Sequence, residues 1–405
     1  MKTKFYLLVL PLTLSLWACS KSDAYIDMPR DYECFVESDY TGDKGDPVGD
    51  NGSGGGQTQA GRVTAGEWND LDNWLFWSEL MTSKQATQDE VDFTQYSDYW
   101  QLYTNNRIAV HASSADGQPL YDAEVRLITP DGTTIWSSRT DINGNANLWF
   151  GLTQLTTTID NSSLAFMLNN EKSDTPVSIT HWGDSVKVNY LVSTHKSANN
   201  NHQLDIAFIV DATGSMSDEI NFLKADLENI LQEVNSYNSA TIRTSAVFYR
   251  DNGDEYLTRS SNFGNNTIDF ISQQQADGGG DYPEAVHTAL EVALQELSWI
   301  EDNAQRIAFL LLDAPPHKQD DVISSLQQII PQYAAKGIKI VPIAASGVDK
   351  PTEFFCRFTA IATNGTYIFI TNDSGIGNDH IQATVGDYKV ELLRDIIIRI
   401  ISQNM

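Results

Sequence analysis

Leu204-Asp205-Ile206-Ala207-Phe208-Ile209-Val210 runs directly into Asp211-Ala212-Thr213-Gly214-Ser215-Met216, and this junction decides how the chain is read. A nearly continuous apolar run of strand length suits a parallel sheet buried on both faces. It ends on a carboxylate followed by hydroxyls at alternate positions, so Asp211, Thr213 and Ser215 offer oxygen and nothing softer. That donor set fits a hard divalent cation. Mg²⁺ takes near-octahedral oxygen ligation and keeps several waters, and Ca²⁺ and Mn²⁺ are the other ions such a turn would accept.

Outward from this turn, apolar strands alternate with amphipathic helices from His202 onward, the pattern of a parallel sheet covered on both faces. Strands are expected at 205–210, 241–249, 306–312, 338–343 and 366–370, and helices at 217–235, 283–297, 320–335, 352–362 and 387–402. The first helix carries the stripe Ile220, Leu223, Leu227, Ile230, Leu231, Val234, and the last carries Val390, Leu393, Ile397, Ile400, Ile401. Parallel strands joined by helices point their C-terminal ends the same way. Asp211 and Asp313, which follows Phe309-Leu310-Leu311-Leu312, should therefore emerge on one edge, where ligands of such sheets bind. The run Gly278-Gly279-Gly280-Asp281 precedes Tyr282-Pro283-Glu284-Ala285, which reads as a helix start and can lie on the same edge.

Together these segments resemble the von Willebrand factor type A domain with its metal-ion-dependent adhesion site, across residues 203–405. In that family a D-x-S/T-x-S turn, a threonine or aspartate from a second loop and an aspartate from a third surround one divalent ion. The resemblance implies Asp211, Thr213 and Ser215 as the turn and Asp313 as the third loop. The second loop departs from the commoner G-G-T: Gly280 takes the threonine position by count and Asp281 follows it, leaving the role open between them, with Asp281 entered in the ligand set. Tyr249-Arg250-Asp251, Asp313-Ala314-Pro315-Pro316-His317 and Ser374-Gly375-Ile376-Gly377 through His380 resemble stretches of bacterial members, which makes Asp251, His317 and His380 rim candidates. Taken singly, Ser215 or Ser217 could cap the next helix, Asp281 with Glu284 could form a capping box, and Asp313 could simply end a strand. A loop histidine is commonly just solvated. Jointly, three loops placing oxygen on one edge by accident is the weaker explanation.

The 405 residues allow more than one domain, and the fold class expected is multidomain: a C-terminal α/β doubly wound, mostly parallel sheet plus an N-terminal all-β sandwich. Residues 104–194 switch to period two (Ile108, Val110, Ala112; Val125, Leu127; Leu148, Phe150; Val186, Val188, Tyr190, Val192) with turns at Ala115-Asp116-Gly117, Pro130-Asp131-Gly132 and Asn143-Gly144. The pattern Asp116-Gly117-Gln118-Pro119-Leu120, Ala123-Glu124-Val125 and Thr140-Asp141-Ile142-Asn143-Gly144 resembles carboxypeptidase-regulatory or transthyretin-like sandwich modules. Residues 63–103 place Trp68, Leu71, Trp74, Leu75, Trp77, Leu80 and Met81 mostly at helical spacing, read as a helical segment plugged against a neighbouring domain. Residues 19–62 are acidic and Gly-rich, a flexible tether. Residues 1–18 pair Lys2 and Lys4 with an apolar run before Ala18-Cys19, resembling a bacterial lipoprotein signal, which implies cleavage and lipidation at Cys19. The run is too short to span a bilayer.

A formal charge of −28 argues against nucleic acid, which needs a concentrated basic face. Cys34 and Cys356 indicate no disulfide framework and no catalytic thiol. The expected function is an exported, lipid-anchored, non-enzymatic protein of the bacterial envelope, placed at the outer membrane. It would bind a protein or surface polymer presenting a carboxylate, through a divalent ion. Two rivals are weighed: a metal-dependent hydrolase with His317 as base, and an architectural protein whose ion only braces the fold. The G-x-S-x-G elbow and the P-loop are both missing.

Overall fold

The computed structural model describes residues 63–82, 92–154, 160–194, 203–237, 241–280, 282–372 and 380–405. The expectations for Cys19, Cys34, the signal and the tether lie outside the described residues, as do Asp281 and Ser374–Gly377.

The apolar run of the opening junction is the strand Gln203–Asp211, at the centre of an eight-stranded sheet. Across the sheet the order is Thr258–Gly264, Thr241–Tyr249, Gln203–Asp211, Ala304–Leu312, Ile338–Ala344, Tyr367–Ile370, Thr64–Trp68 and Glu391–Leu392. The five strands from Thr241–Tyr249 to Tyr367–Ile370 run parallel, and the outer three are antiparallel to their neighbours. The sheet is thus mixed. Side chains of the central strand alternate between two cores: Ala207 and Ile209 pack with helices Val286–Gln295, Asp320–Ala335 and Lys350–Ala362, while Ile206, Phe208 and Val210 pack with Ser217–Tyr237 and Leu393–Ser402. Both faces are dry, which is why the strand reads as a continuous apolar run.

Three sequence expectations change here. The segment expected to be helical from residue 63 begins instead with the strand Thr64–Trp68, slotted antiparallel between Tyr367–Ile370 and Glu391–Leu392, and becomes helix only over Trp74–Thr82. Its register is held by Leu393 N–H donating to Val63 C=O at 2.8 Å and by Arg399 reaching Glu67 and Glu391 at 2.7 and 2.8 Å. Leu75 faces solvent. The last helix starts at Leu393, not at 387, and Val390 is exposed ahead of it. The helix expected from 283 starts at Val286, because Glu284 N–H donates to Pro315 C=O at 2.9 Å and Glu284 bridges Pro316 in parallel, which keeps 282–285 out of the helix.

Residues 106–192 build two four-stranded sheets. The strand Val188–Val192 shows its alternation in the opposite phase to that expected: Val186, Val188, Tyr190 and Val192 face out, while Leu191 and Asn189 are buried. The Asn189 side chain fixes this phase by donating to Ala109 C=O at 2.9 Å and Ser178 C=O at 3.0 Å, bonds that a solvent-facing amide would lose.

The two small sheets, the Trp-rich segment and the helices of one sheet face share a continuous core. Trp77 donates to Thr104 Oγ1 at 2.7 Å and stacks on Phe354, and Trp100 donates to the Pro351 carbonyl at 2.9 Å. These two rings are therefore buried with their N–H groups satisfied. At the opposite end of the central strands, Asp122 takes Arg306 at 2.9 Å and Arg139 at 3.1 Å, tying the small sheets to the start of the strand Ala304–Leu312. Among the described residues no helix is long and apolar enough to cross a membrane.

Candidate metal centre

Register dictates where the first two carboxylates appear. Val210 stands opposite Leu311 on the adjacent parallel strand, so Asp211 is level with Leu312 and Asp313 follows one residue later. Neighbouring strands lie about 5 Å apart, and the two side chains leave the sheet on the same edge. Asp211 is fully buried and Asp313 is 6% exposed.

The turn after Asp211 folds over its carboxylate. Thr213 N–H and Oγ1 donate to Asp211 Oδ1 at 2.9 and 2.7 Å, and Thr213 Oγ1 stands 3.5 Å from Ser215 Oγ. Ser215 is exposed in a 3₁₀ turn, Gly214–Met216, that leads into the helix Ser217–Tyr237; its hydroxyl is near enough to Asp313 to hold that carboxyl's pKa down. Asp211 Oδ2 is shut from solvent and makes no hydrogen bond of full geometry; the buried Tyr249 hydroxyl lies near enough to lower the carboxyl's pKa only weakly. Tyr249, its cross-strand neighbour, is also fully buried.

The glycine loop is stitched to this turn. Asp277 N–H donates to Ala212 C=O at 3.0 Å, Gly214 N–H to Gly278 C=O at 3.2 Å, and the Arg250 guanidinium to Ala212 C=O at 3.1 Å and Gln275 C=O at 3.0 Å. Gly278 and Gly279 have φ of +82° and +74°, a backbone that side-chain-bearing residues rarely adopt. Asp254 receives Gly279 N–H at 3.1 Å. Gly280 is exposed and presents no side chain, and Asp281 lies outside the described residues.

Of the rim candidates, Asp251 and His317 meet: His317 Nε2 is 2.6 Å from Asp251 Oδ1. His380 is tied to Asn372 instead, with its backbone N–H donating to Asn372 Oδ1 at 2.8 Å. Two acidic residues outside the expected site, Glu219 and the capping-box candidate Glu284, belong to the same edge. Glu284 is 3% exposed, with Oε2 unpartnered. Glu219 is 1% exposed, and its carboxylate reaches Ser346 Oγ at 3.4 Å. Glu219 had a signal: it sits three or four residues from Met216, Phe222 and Leu223, on the buried stripe of its helix, where an acid is out of place. Glu284 had none, because an acid after Pro283 is what a solvent-facing first helical turn would carry.

Crowding of like charge in a dry place shows in the protonation of these groups. Desolvation, then the neighbouring Asp313, pushes Asp211 up to about 7. Desolvation, then Asp211, Asp251, Asp313 and Asp254, pushes Glu284 up to about 9. Desolvation raises Glu219 to about 7, with Asp313 adding to it. Asp313 is also raised by burial, against the lowering bond from Ser215. A carboxyl whose native pKa exceeds its unfolded value binds its proton more tightly when folded, so stability falls as pH rises between the two values. In chelator the melting temperature is expected to drop from pH 5 to about pH 9, and Glu284→Gln is expected to flatten that slope. Calorimetric melts across this range check it, and parallel slopes for the two proteins would contradict it.

Among the described residues no three His, Cys, Asp or Glu side chains are grouped to hold an ion. The oxygens that converge are of mixed kind, the Asp211 and Asp313 carboxylates with the Thr213 and Ser215 hydroxyls. Residues 205–363 match the von Willebrand factor A domain. The matched segment spans the strand ending in Asp211, the glycine loop and Asp313, so the turn and both following loops fall within it. The chain is also similar to an ariadne-like RING finger protein of Acanthamoeba polyphaga mimivirus, 30% identical over 190 residues (42% of this chain, 19% of that protein). It is 29% identical over 153 residues to the alpha-protein kinase vwkA of Dictyostelium discoideum, covering 36% of this chain and 24% of the kinase. The matches thus span a quarter or less of these relatives' length. Among solved structures, the pilus adhesin SpaC of Lactobacillus rhamnosus GG in its open conformation aligns over 51% of this chain and 30% of its own, at 12% identity and a TM-score of 0.34, a likeness too slight to bear on function.

Proposed function

We propose that the edge carrying Asp211, Thr213, Ser215 and Asp313, with Asp281, holds one hard divalent cation, Mg²⁺ foremost, directly or through water, and that a protein or surface polymer binds there by presenting a carboxylate. The observation that carries this reading is the Asp211 carboxylate, fully buried, whose Oδ2 makes no hydrogen bond of full geometry. A buried carboxylate oxygen without a donor is costly, and a cation relieves that cost. The donor set is all oxygen, as Mg²⁺ and Ca²⁺ require. Where carboxylates of the set reach the ion only through water, the neutral hydroxyls in direct contact leave its pull on an acidic side chain from outside unquenched. The match to the von Willebrand factor A domain supports a binding role at this edge.

The reading is non-enzymatic. Among the described residues the Asp251–His317 pair is the feature that favours metal-assisted hydrolysis, and its imidazole is committed to Asp251 at 2.6 Å. We place the protein in the bacterial envelope, exported and held at the outer membrane by acyl chains on Cys19, with residues 19–62 as tether and residues 104–194 as a sandwich-like spacer. The test is capture from envelope extract on the immobilised chain. A partner retained in Mg²⁺, released by chelator and restored by added Mg²⁺ is expected; a partner retained equally in chelator would overturn the reading and favour an ion that only braces the fold.

A further inference from the structure

We propose that Glu284 is the outer carboxylate of this cation site, accepting a hydrogen bond from the ion's hydration shell and setting the negative charge that holds the ion. The assignment rests on the reading that the edge binds a divalent cation, and it adds a residue that neither the family pattern as carried onto this sequence nor the ligand set above contains. The backbone of Glu284 is fixed to the third loop by its N–H bond to Pro315 C=O and its bridge to Pro316, two and three residues after Asp313. Its side chain is 3% exposed, and Oε2 has no hydrogen-bond partner. The other oxygen is located by Gly279: a Cβ there would lie 3.3 Å from Glu284 Oε1 and 3.0 Å from Thr213 Cβ. A bare glycine is what lets the glutamate carboxylate lie alongside Thr213, whose hydroxyl caps Asp211.

Two buried carboxylate oxygens that make no hydrogen bond of full geometry, Asp211 Oδ2 and Glu284 Oε2, therefore belong to groups flanking the same threonine. Leaving both without a donor is expensive in a dry site. A hydrated cation supplies what each lacks, positive charge to Asp211 and water O–H donors to Glu284. Mg²⁺ sheds its waters reluctantly and usually keeps several, so a carboxylate beside the ligand turn can be held through one of those waters rather than by the ion itself. Outer partners of this kind orient what they touch, and losing one typically weakens metal binding about 10–100-fold.

The test is titration calorimetry of Mg²⁺ into the full chain, alongside Glu284→Gln, Glu284→Asp and Asp211→Asn, with thermal melts of each in chelator. The expected result is Mg²⁺ binding weakened about 10–100-fold in Glu284→Gln, a smaller loss in Glu284→Asp, and a chelated Glu284→Gln protein that melts at or above the temperature of the unaltered chain. A purely structural glutamate would do the reverse, lowering the melt and sparing the affinity, and that result overturns the assignment, as does equal affinity in all Glu284 variants. If the unaltered chain takes up no Mg²⁺, the reading of the edge falls and this assignment falls with it. Uptake by the unaltered chain that is lost in Asp211→Asn but unchanged in both Glu284 variants removes Glu284 alone.

Discussion

Asp211→Ala is expected to abolish Mg²⁺ uptake and, with it, cation-dependent partner binding. The affinity loss should exceed ~100-fold, because even an outer partner of a ligand is worth 10–100-fold and Asp211 is the innermost carboxylate of the edge. The fold should survive. Removing a fully buried carboxylate, one oxygen of which makes no hydrogen bond of full geometry, relieves a desolvation cost, and this offsets the loss of the acceptor for Thr213 N–H and Oγ1. Asp211→Asn keeps an acceptor for Thr213 and separates the two effects: its melt in chelator should equal or exceed that of the unaltered chain while its Mg²⁺ binding is lost. Calorimetric titration and melts on both variants check this. Retained affinity in either one contradicts it.

The largest effect on stability is expected far along the chain, at Asp70 and Arg357. Arg357, fully buried in the helix Lys350–Ala362, grips Asp70 with two bonds of 2.9 and 2.6 Å, lies 4.9 Å from the Trp77 ring centroid and donates to the Thr384 carbonyl at 2.5 Å. Asp70 also accepts from Trp68 Nε1 at 2.9 Å. This knot fastens the Trp-rich segment and the loop at 384 to the helix. Breaking a buried pair by removing one partner costs about 3–5 kcal/mol, and Glu353, 3.5 Å from Arg357 and equally buried, keeps part of the charge matched, so the lower end of that range is expected. Asp70→Ala should therefore lower the unfolding free energy measured by urea titration by about that much, and Arg357→Met combined with Asp70→Leu should recover part of it, since a buried pair replaced by apolar groups is often neutral. A loss below about 1 kcal/mol for Asp70→Ala would show that the pair is not a principal fastening.

How much of this was legible in the chain follows from which signals are local. The strand at 241–249 and the helix at 320–335 lie where their patterns place them, because each carries its own periodicity. Convergence of Asp211 and Asp313 was legible for a topological reason: parallel strands in register must deliver their next residues to one edge. Thr64–Trp68 was not legible as a strand, since its pairing partners lie some 300 residues away and its tryptophan continues a helical spacing only by coincidence. The phase of Val188–Val192 was misread because an apolar count favours burying Val and Tyr, whereas the amide network of Asn189 decides which face turns inward. Glu284 was hidden by a proline that looked like a helix start and in fact precedes a bridge to Pro316.

The central claim is that oxygen atoms from separate loops share one ion at the edge beyond Asp211. A crystal of the full chain soaked in Mn²⁺ and measured at an anomalous wavelength tests it most directly. The account predicts a single strong anomalous peak bounded by Asp211, Thr213, Ser215 and Asp313, with solvent on its outer side and Glu284 facing its waters. A crystal that takes up Mn²⁺ elsewhere, with no peak at that edge, would contradict it.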